Sequence, residues 1–504
     1  MSSLVVCAVT ISGVVAVLYA TASWGAAVDW DAVTYLKGAS GILDGRGYVI
    51  PTSESPGEPI THWPPGLSAA IALAASVEHT NMIRGAARHL QALLYLLNTA
   101  LFAVLAVQLT RDRWVVALGV FLFAWSQDVA LVHAMVWSEP LFLTCQFLVF
   151  LQLARVVDLN GVNSLVVAAL LVGAATLIRY AGVSLVPTGA AAILWFGSGG
   201  LRSRIRHATL LTILGAMPLA LWLLRNYQLT GYADNIDGGA ISLHHLRALA
   251  TTIAGWTIPS PLPRVIRLPL IAVFGLAALT CATLAYVRRP PTRAGAPSAP
   301  PASALPQVLR CFILVYPAFL VVSIAVKDYG TVPDGRILLP LYAALLLMSL
   351  PVLSHIRLDL SESNSSTTTW AARLTIVTLV VGRLAGLGVW ARDAHRHGVG
   401  FEGAAWATSP LIQAASALPS STRVYTNMWP PVALVRGADA LAIPSFSSCS
   451  RLRTVLTDHP LRSRDEVAYV LRFDDASSRL GSDSEACLQL VIRAENGALY
   501  RIVP

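Results

Sequence analysis

The chain has 504 residues, of which 55% are hydrophobic and 12% are charged, and its mean hydropathy is +0.62. This composition excludes an ordinary soluble globular protein and indicates an integral membrane protein in contact with membrane lipids. The net charge of +9 comes with arginines sorted to particular loops, with no basic face interleaved with aromatic residues. The distribution of the arginines therefore predicts the membrane topology. The lack of a basic, aromatic-rich face argues against a nucleic acid partner.

The first apolar stretch, residues 4–28, carries no charge and is long enough to cross a bilayer. We predict a membrane anchor. A cleavable signal peptide is the alternative, because residues 23–27 are mostly small, but no basic segment precedes the apolar run.

A polar stretch at residues 26–66 interrupts this apolar half of the chain. It opens with two acids, Asp29 and Asp31, and continues through an amphipathic run at 35–43 that predicts a helix. Glycines from Gly45 onward predict the end of that helix.

Further apolar stretches predict about eleven spans in all, with a short helix at 67–77 lying against the membrane. The predicted spans after the first are 90–109, 114–132, 139–154, 163–178, 181–197, 208–224, 265–287, 308–326, 337–355 and 371–390.

Arginine-rich connections alternate along the chain and so mark one side of the membrane, which we assign to the cytoplasm. They contain Arg111, Arg113, Arg155, Arg202, Arg204, Arg206, Arg288, Arg289, Arg293 and Arg357. The N-terminus is then predicted inside the cell. The 26–66 loop, the 225–264 loop and everything after about 391 are predicted outside.

Two polar segments are predicted on the cytoplasmic side: a Pro-, Ala- and Ser-rich flexible linker at 289–307 and a loop at 361–369. The predicted domains are therefore a transmembrane domain at 1–390 and an extracytoplasmic α/β domain at 391–504.

The C-terminal domain has β-rich runs at 423–425, 467–473 and 488–492, and a helical run at 451–456. An extracytoplasmic compartment permits a disulfide between its cysteines, Cys449 and Cys487; two unpaired thiols are the alternative.

Several motifs, in this order and spacing, resemble those of the GT-C glycosyltransferases, in particular the protein O-mannosyltransferases and the lipid A aminoarabinose transferases. They are Asp31-Ala32-Val33-Thr34-Tyr35-Leu36 with Ala39, Leu43, Gly45 and Tyr48, then Trp63-Pro64-Pro65-Gly66, Ser138-Glu139-Pro140, Arg179-Tyr180-Ala181-Gly182, Leu224-Arg225-Asn226-Tyr227 with Thr230-Gly231, and Arg336-Ile337-Leu338-Leu339-Pro340-Leu341-Tyr342. The similarity covers most of the chain.

The resemblance implies that Asp31 is the catalytic carboxylate and that Glu139 matches the family's second functional acid. The family often has Glu directly after the first acid, whereas this chain has Ala32 there. Any role for a paired acid therefore falls to Asp29 or is absent.

The residues support a related mechanism by themselves. Sugar transfer from a polyprenyl phosphate needs a carboxylate to take the acceptor proton and cations to hold the phosphate leaving group. Asp31 suits the first task. Arg225 and Arg336, each at the outer end of a span, suit the second, with the two lysines, Lys37 and Lys327, as weaker candidates.

Each site residue has a structural alternative. Asp31 could be the N-cap of a helix beginning at Ala32, and Glu139 could be a capping acid. Arg179 between two apolar runs is either functional or part of an interfacial salt bridge. His62 could bind the sugar or phosphate, whereas the adjacent Trp could be an ordinary interfacial anchor.

No firm metal motif is present, although the sequence leaves room for a divalent cation. The residues weighed as weak metal candidates are His244, His245, His395, His397, Asp234 and Asp237. No Gly-rich phosphate loop precedes a helix, which argues against nucleotide sugars as donors.

Together these patterns predict a mainly α, polytopic bundle with a large first outer loop and a small C-terminal α/β domain. The predicted function is transfer of a sugar from a polyprenyl-phosphate donor to a glycan, lipid or protein on the outer face of the plasma (inner) membrane. A polytopic transporter or lipid-linked sugar flippase is the alternative, and a non-catalytic envelope scaffold is the third hypothesis.

Overall fold

The computed structural model describes eleven ranges of the chain. They are 2–51, 57–80, 82–231, 241–257, 303–326, 330–362, 366–419, 422–436, 440–442, 468–474 and 487–502. Lys327, Asp234, Asp237, Cys449, the predicted span 265–287 and the predicted helical run 451–456 lie outside them.

The described chain is mostly helical with a small C-terminal sheet, as the sequence predicted. The helices are α1 (Ser2–Ala20), α2 (Trp30–Leu43), α3 (Gly66–Val77), α4 (Ile83–Leu109), α5 (Arg113–Ala124), α6 (Gln127–Ala134), α7 (Glu139–Leu159), α8 (Val162–Ile178), α9 (Leu185–Phe196), α10 (Leu201–Thr230), α11 (Leu243–Thr257), α12 (Leu305–Val326), α13 (Leu339–Glu362), α14 (Ser366–His397), α15 (Ala404–Ala407), α16 (Pro410–Ala417) and α17 (Trp429–Arg436). The strands are β1 (Val49–Ile50), β2 (Glu58–Pro59), β3 (Arg423–Thr426), β4 (Ala440–Ala442), β5 (Ala468–Phe473), β6 (Leu488–Ala494) and β7 (Gly497–Ile502).

Among the described helices, four are long and apolar enough to cross a bilayer, namely α4, α7, α10 and α12, and the bent pair of α5 and α6 would make a fifth. Shorter apolar helices account for other predicted spans. Because the span at 265–287 is not described, the count of about eleven stays a prediction.

Three predicted elements differ from the structure. The anchor predicted at 4–28 is helical to Ala20, after which turns begin and Gly25 adopts a positive φ of 79°. The span predicted at 114–132 is two helices bent by 49° at Trp125 and Ser126. The loop predicted at 361–369 is helical over its described residues, because α13 and α14 both extend into it.

Contacts between Cα atoms divide the chain into two compact units. Unit 1 comprises residues 1–20, 61–67 and 88–393. Unit 2 comprises residues 21–60, 68–87 and 394–504, so it contains most of the first polar loop as well as the C-terminal domain.

Unit 1 is a helical bundle whose core contains fully buried aromatic side chains. Phe102 stacks on Phe123 at 4.5 Å between ring centroids, and Phe150 meets Phe312 edge to face at 5.1 Å. Since these rings come from α4, α5, α7 and α12, their packing fixes the helices whose ends carry the polar groups described below.

Unit 2 contains a five-stranded sheet in the order β4-β3-β5-β7-β6. The first three strands are parallel and the last two are antiparallel to their neighbours. The predicted strands at 423–425, 467–473 and 488–492 correspond to β3, β5 and β6. Helix α17 connects β3 to β4 and also packs against α2.

The sheet of unit 2 has a core of Tyr425, Ala468, Val470 and Cys487. Cys487 is disulfide-bonded, and its predicted partner Cys449 is not among the described residues.

Candidate active site

A buried ion cluster in unit 1 joins three residues that the sequence analysis singled out. Glu139 is the first residue of α7, Arg179 follows the end of α8, and Arg336 precedes α13. Both arginines pair with the same carboxylate oxygen, Glu139 Oε1; the Arg179 Nη1 contact is 2.5 Å, and Arg336 donates through Nε. Three helix ends that are far apart in sequence are thereby held together.

Burial makes this cluster electrostatically strong. The Glu139 side chain is 1% exposed and each arginine side chain is 16% exposed, so water screens the attraction poorly. The other carboxylate oxygen, Glu139 Oε2, is buried and has no hydrogen-bond partner among the described residues. Two guanidinium groups therefore share this carboxylate, and the carboxyl group of Asp334 is close enough to interact electrostatically with Arg336 and Glu139.

The arginines of the cluster are themselves positioned by neighbours. Arg179 Nη1 also donates to Ser138 Oγ at 3.1 Å, and the Arg336 guanidinium lies 4.3 Å from the centre of the Trp137 ring. Asp334 Oδ1 accepts from the backbone N–H of Arg336 at 2.9 Å, which fixes the turn before α13. The backbone of Arg336 is therefore held by Asp334, and its side chain by Trp137 and Glu139.

The alternatives for these residues are resolved in part. Glu139 lies in the first turn of α7 and carries the ion pairs, whereas Ser138 is the N-cap residue without a side-chain cap hydrogen bond. Arg179 does form the salt bridge that was one of its two interpretations.

Arg225 lies in a second polar group near the end of α10. Its guanidinium lies 4.6 Å from the centre of the Trp222 ring and donates to Asn226 Oδ1 at 3.0 Å. The Trp222 indole N–H donates to Tyr180 Oη at 3.2 Å, so Arg225 is linked to the residue after Arg179.

The segment with His62 joins this second group through the backbone. Asn226 Nδ2 donates to the Thr61 carbonyl at 2.7 Å, and His62 is exposed, with its ring 4.4 Å from that of Trp63. A Cβ on Gly66 would lie 2.7 Å from the carbonyl oxygen of Leu177, so glycine permits this segment to pack on the end of α8.

The acids of the first polar loop lie in unit 2, at the start of α2. Asp29 is the N-cap: its Oδ1 accepts from the Ala32 backbone N–H at 3.1 Å. Asp31 is in the first helical turn and is half-buried. The alternative in which Asp31 caps a helix beginning at Ala32 is therefore wrong, because the helix begins one residue before Asp31 and Asp29 does the capping.

Lys37 lies two turns further along α2 and is half-buried. Burial lowers the pKa of its ammonium group below the usual value, because the charged form loses hydration. It makes no hydrogen bond or ion pair with the part of the chain that the structure describes, so an anionic ligand is one group that would stabilise its charge.

The described part of the chain contains no recognisable metal site. Among the described residues no three His, Cys, Asp or Glu side chains come close enough to hold an ion. His245 instead bonds Ser242 through Nδ1 at 2.8 Å, and His395 lies 3.3 Å from Ser23 Oγ. The divalent cation allowed for in the sequence analysis stays a prediction.

Comparison with solved structures defines the class of fold. Neither a protein-family model nor a curated protein matches this sequence. Solved GT-C glycosyltransferases, which are polytopic membrane proteins, do match along nearly the whole chain. This chain therefore has the fold of these structures, and four of its described helices are long and apolar enough to cross a membrane.

Two particular structures illustrate the match. ArnT from Cupriavidus metallidurans, bound to undecaprenyl phosphate, is 12% identical with a TM-score of 0.59, and the match covers 98% of this chain and 97% of ArnT. The oligosaccharyltransferase AglB from Archaeoglobus fulgidus, in complex with an inhibitory peptide and a dolichol-phosphate, is 12% identical with a TM-score of 0.54; the match covers 92% of this chain and 69% of AglB. At this identity the likeness concerns the fold, and it confirms the resemblance that the sequence motifs predicted.

Proposed function

We propose that this protein is a glycosyltransferase that transfers a sugar from a polyprenyl-phosphate donor to an acceptor hydroxyl at the outer face of the plasma (inner) membrane. The observation that carries the proposal is the buried cluster of Arg179 and Arg336 on Glu139, within a fold shared with a structure that binds undecaprenyl phosphate. A membrane-embedded enzyme using such a donor needs cations at a helix end for the phosphate, and this cluster supplies them.

The proposed reaction moves one proton and exchanges one bond. The acceptor oxygen attacks the anomeric carbon of the sugar, and the bond between that carbon and the phosphate oxygen breaks. Asp31 takes the proton from the acceptor hydroxyl, and polyprenyl phosphate leaves with the bonding electrons. Asp31 suits this step because its carboxylate is half-buried and is not consumed in capping α2.

Arg336 and Arg179 are proposed to stabilise the charge that develops on the leaving phosphate. Glu139 is proposed to act by holding both guanidinium groups in place, since its carboxylate is buried under them. Arg225, His62 and Lys37 are proposed as further donor contacts, and Asp29 as the residue that sets the start of α2.

The proposed orientation places the N-terminus in the cytoplasm and the C-terminal domain outside. The disulfide at Cys487 supports an oxidising compartment for that domain. With Cys7 replaced by Ser, a cysteine at Glu495, an exposed position in the turn after β6, should react with an impermeant maleimide in intact cells. A cysteine at Ser298 should react only after lysis. The opposite pattern would contradict this orientation.

The experiment that tests the function uses the purified full-length protein in lipid nanodiscs. It is incubated with a panel of polyprenyl-phosphate monosaccharides and candidate acceptors, and release of polyprenyl phosphate is measured. We expect release from at least one donor, dependent on Asp31. Donors that bind and remain intact with every glycan, lipid and protein acceptor would contradict the proposal.

A further inference from the structure

A run of four aromatic side chains in unit 2 begins at the residue before Asp31. Trp30 is the first residue of α2 and is 50% exposed. Its ring meets Phe401 at 6.2 Å between centroids, Phe401 meets Trp406 at 5.2 Å, and Trp406 meets Phe473 at 5.5 Å, all edge to face. Phe473 ends β5 and is buried, so the run connects an exposed indole to the sheet.

The backbone holds the base of Trp30 in place. The Phe401 N–H donates to the Val28 carbonyl at 2.8 Å, and Val28 forms an isolated parallel bridge with Gly400. Gly400 has a φ of 72°, and a Cβ there would lie 2.1 Å from the Val28 carbonyl oxygen. Only glycine allows this approach, which sets Phe401 against Trp30.

Acidic residues adjoin both Trp30 and Phe401 in sequence. Asp29 and Asp31 flank Trp30 in sequence, and Glu402, which pairs with Arg84, follows Phe401. Carboxylates repel the anionic headgroups that a purely interfacial tryptophan would meet, but they accept hydrogen bonds from hydroxyl groups. An aromatic face beside hydroxyl-binding carboxylates is suited to a carbohydrate, whose C–H face packs on the ring while its hydroxyls bond the acids.

We infer that Trp30 forms a binding site for a neutral carbohydrate acceptor and so helps to select it. This inference rests on the proposed function, because the hydroxyl that gives its proton to Asp31 must be bound next to Asp31. The chain of edge contacts to Phe473 keeps the indole rigid, so little conformational freedom is lost when a sugar packs on it.

The test measures sugar binding without donor, and therefore independently of catalysis. Wild-type protein in nanodiscs is titrated with neutral oligosaccharides of glucose, mannose, galactose and arabinose. For the oligosaccharide that binds, Trp30→Leu should weaken binding about tenfold or more, and Trp30→Phe should retain part of the affinity. Trp114→Leu is the matched control, because Trp114 is also 50% exposed but lies in α5 of unit 1.

With a donor present, Trp30→Leu should raise the KM for the acceptor by about tenfold and leave the donor KM within about twofold. Equal oligosaccharide binding by Trp30→Leu and wild type would overturn the inference, as would binding and glycosylation of peptides but of no oligosaccharide. If no donor is consumed while sugar binding still depends on Trp30, the reaction proposal fails and the binding site stands.

Discussion

The two units use charge in opposite ways. In unit 1, Glu139 and two arginines are withdrawn from water and neutralise one another in part. In unit 2, Asp29 and Asp31 lie half-buried at the start of α2, where the positive end of the helix dipole stabilises negative charge. The buried cluster fixes the geometry of its three side chains, whereas the helix start carries Asp31, the carboxylate that we propose takes the acceptor proton.

The largest effect expected from this comparison is on Asp31. Asp31→Asn should lower the rate of sugar transfer by about a hundredfold to ten-thousandfold, the usual cost of losing a general base. The variant should fold and insert normally because Asp29 provides the cap. Initial rates of polyprenyl phosphate release measure the effect.

Asp29→Asn is the control for that variant. Asn caps a helix about as well as Asp, so this change should be much milder. Near-normal turnover by Asp31→Asn would remove Asp31 from the reaction and make Asp29 or Glu139 the acid to test.

The sequence predicted the apolar helices, the order of the motifs and the small sheet, because each depends on local periodicity and composition. It placed Glu139, Arg179 and Arg336 in the site but could not predict that all three meet at one oxygen. Glu139 and Arg336 are 197 positions apart, and their contact depends on how the helices pack.

Two other features were beyond sequence reasoning for different reasons. Either Asp29 or Asp31 satisfies the spacing of an N-cap, and helix starts are uncertain by a residue or two, so the wrong acid was considered for the cap. The run from Trp30 to Phe473 has no periodic signal, since its four members come from separate segments.

The next effect is on stability in unit 1. Glu139→Ala leaves two poorly solvated guanidinium groups without their carboxylate and should destabilise the protein by about 3–5 kcal/mol. Thermal unfolding in detergent, followed by the near-ultraviolet circular dichroism signal, measures it.

The matched change in unit 2 is Glu402→Ala. Glu402 pairs with Arg84, but these side chains are 26% and 40% exposed, so the loss should be at most about 1 kcal/mol. Equal destabilisation by the two substitutions would contradict the contrast drawn between the units.

A smaller effect on donor kinetics is expected for the arginines, and it should differ between Arg336 and Arg225. Arg336→Gln should reduce kcat/KM for the donor by roughly a hundredfold, because a charge-assisted contact to the phosphate is lost in a water-poor site. Arg336→Lys should rescue only part, since an ammonium cannot reproduce the planar fork.

Arg225→Gln should have a weaker effect than Arg336→Gln, since Arg225 bonds the neutral Asn226 and lies over the Trp222 ring, whereas Arg336 belongs to the buried cluster on Glu139. Unchanged donor kinetics in both Gln variants would return these arginines to a structural role.

The smallest effect concerns Lys37 and depends on pH. The folded-state pKa of Lys37 is lowered by burial, so the unfolded chain binds more protons at this position and stability rises with pH. The destabilisation is complete below the lowered pKa and disappears as the pH approaches about 10.4, the pKa of an unperturbed lysine.

Lys37→Met should therefore be more stable than wild type at neutral pH, and the difference in unfolding midpoint should shrink as the pH is raised to about 10. A difference that is constant or grows with pH would contradict the assignment of an unfavourably buried charge.

The central claim is that this protein breaks the bond between the sugar and the phosphate of its polyprenyl-phosphate donor. The most direct measurement follows a donor labelled in both its sugar and its phosphate, in sealed vesicles containing the full-length protein. Transfer predicts that the sugar label moves to an acceptor while the phosphate label stays on the polyprenyl lipid, and that Asp31→Asn stops this separation. Movement of both labels together across the bilayer, with the donor intact and with equal rates for wild type and Asp31→Asn, would contradict the account and identify a flippase.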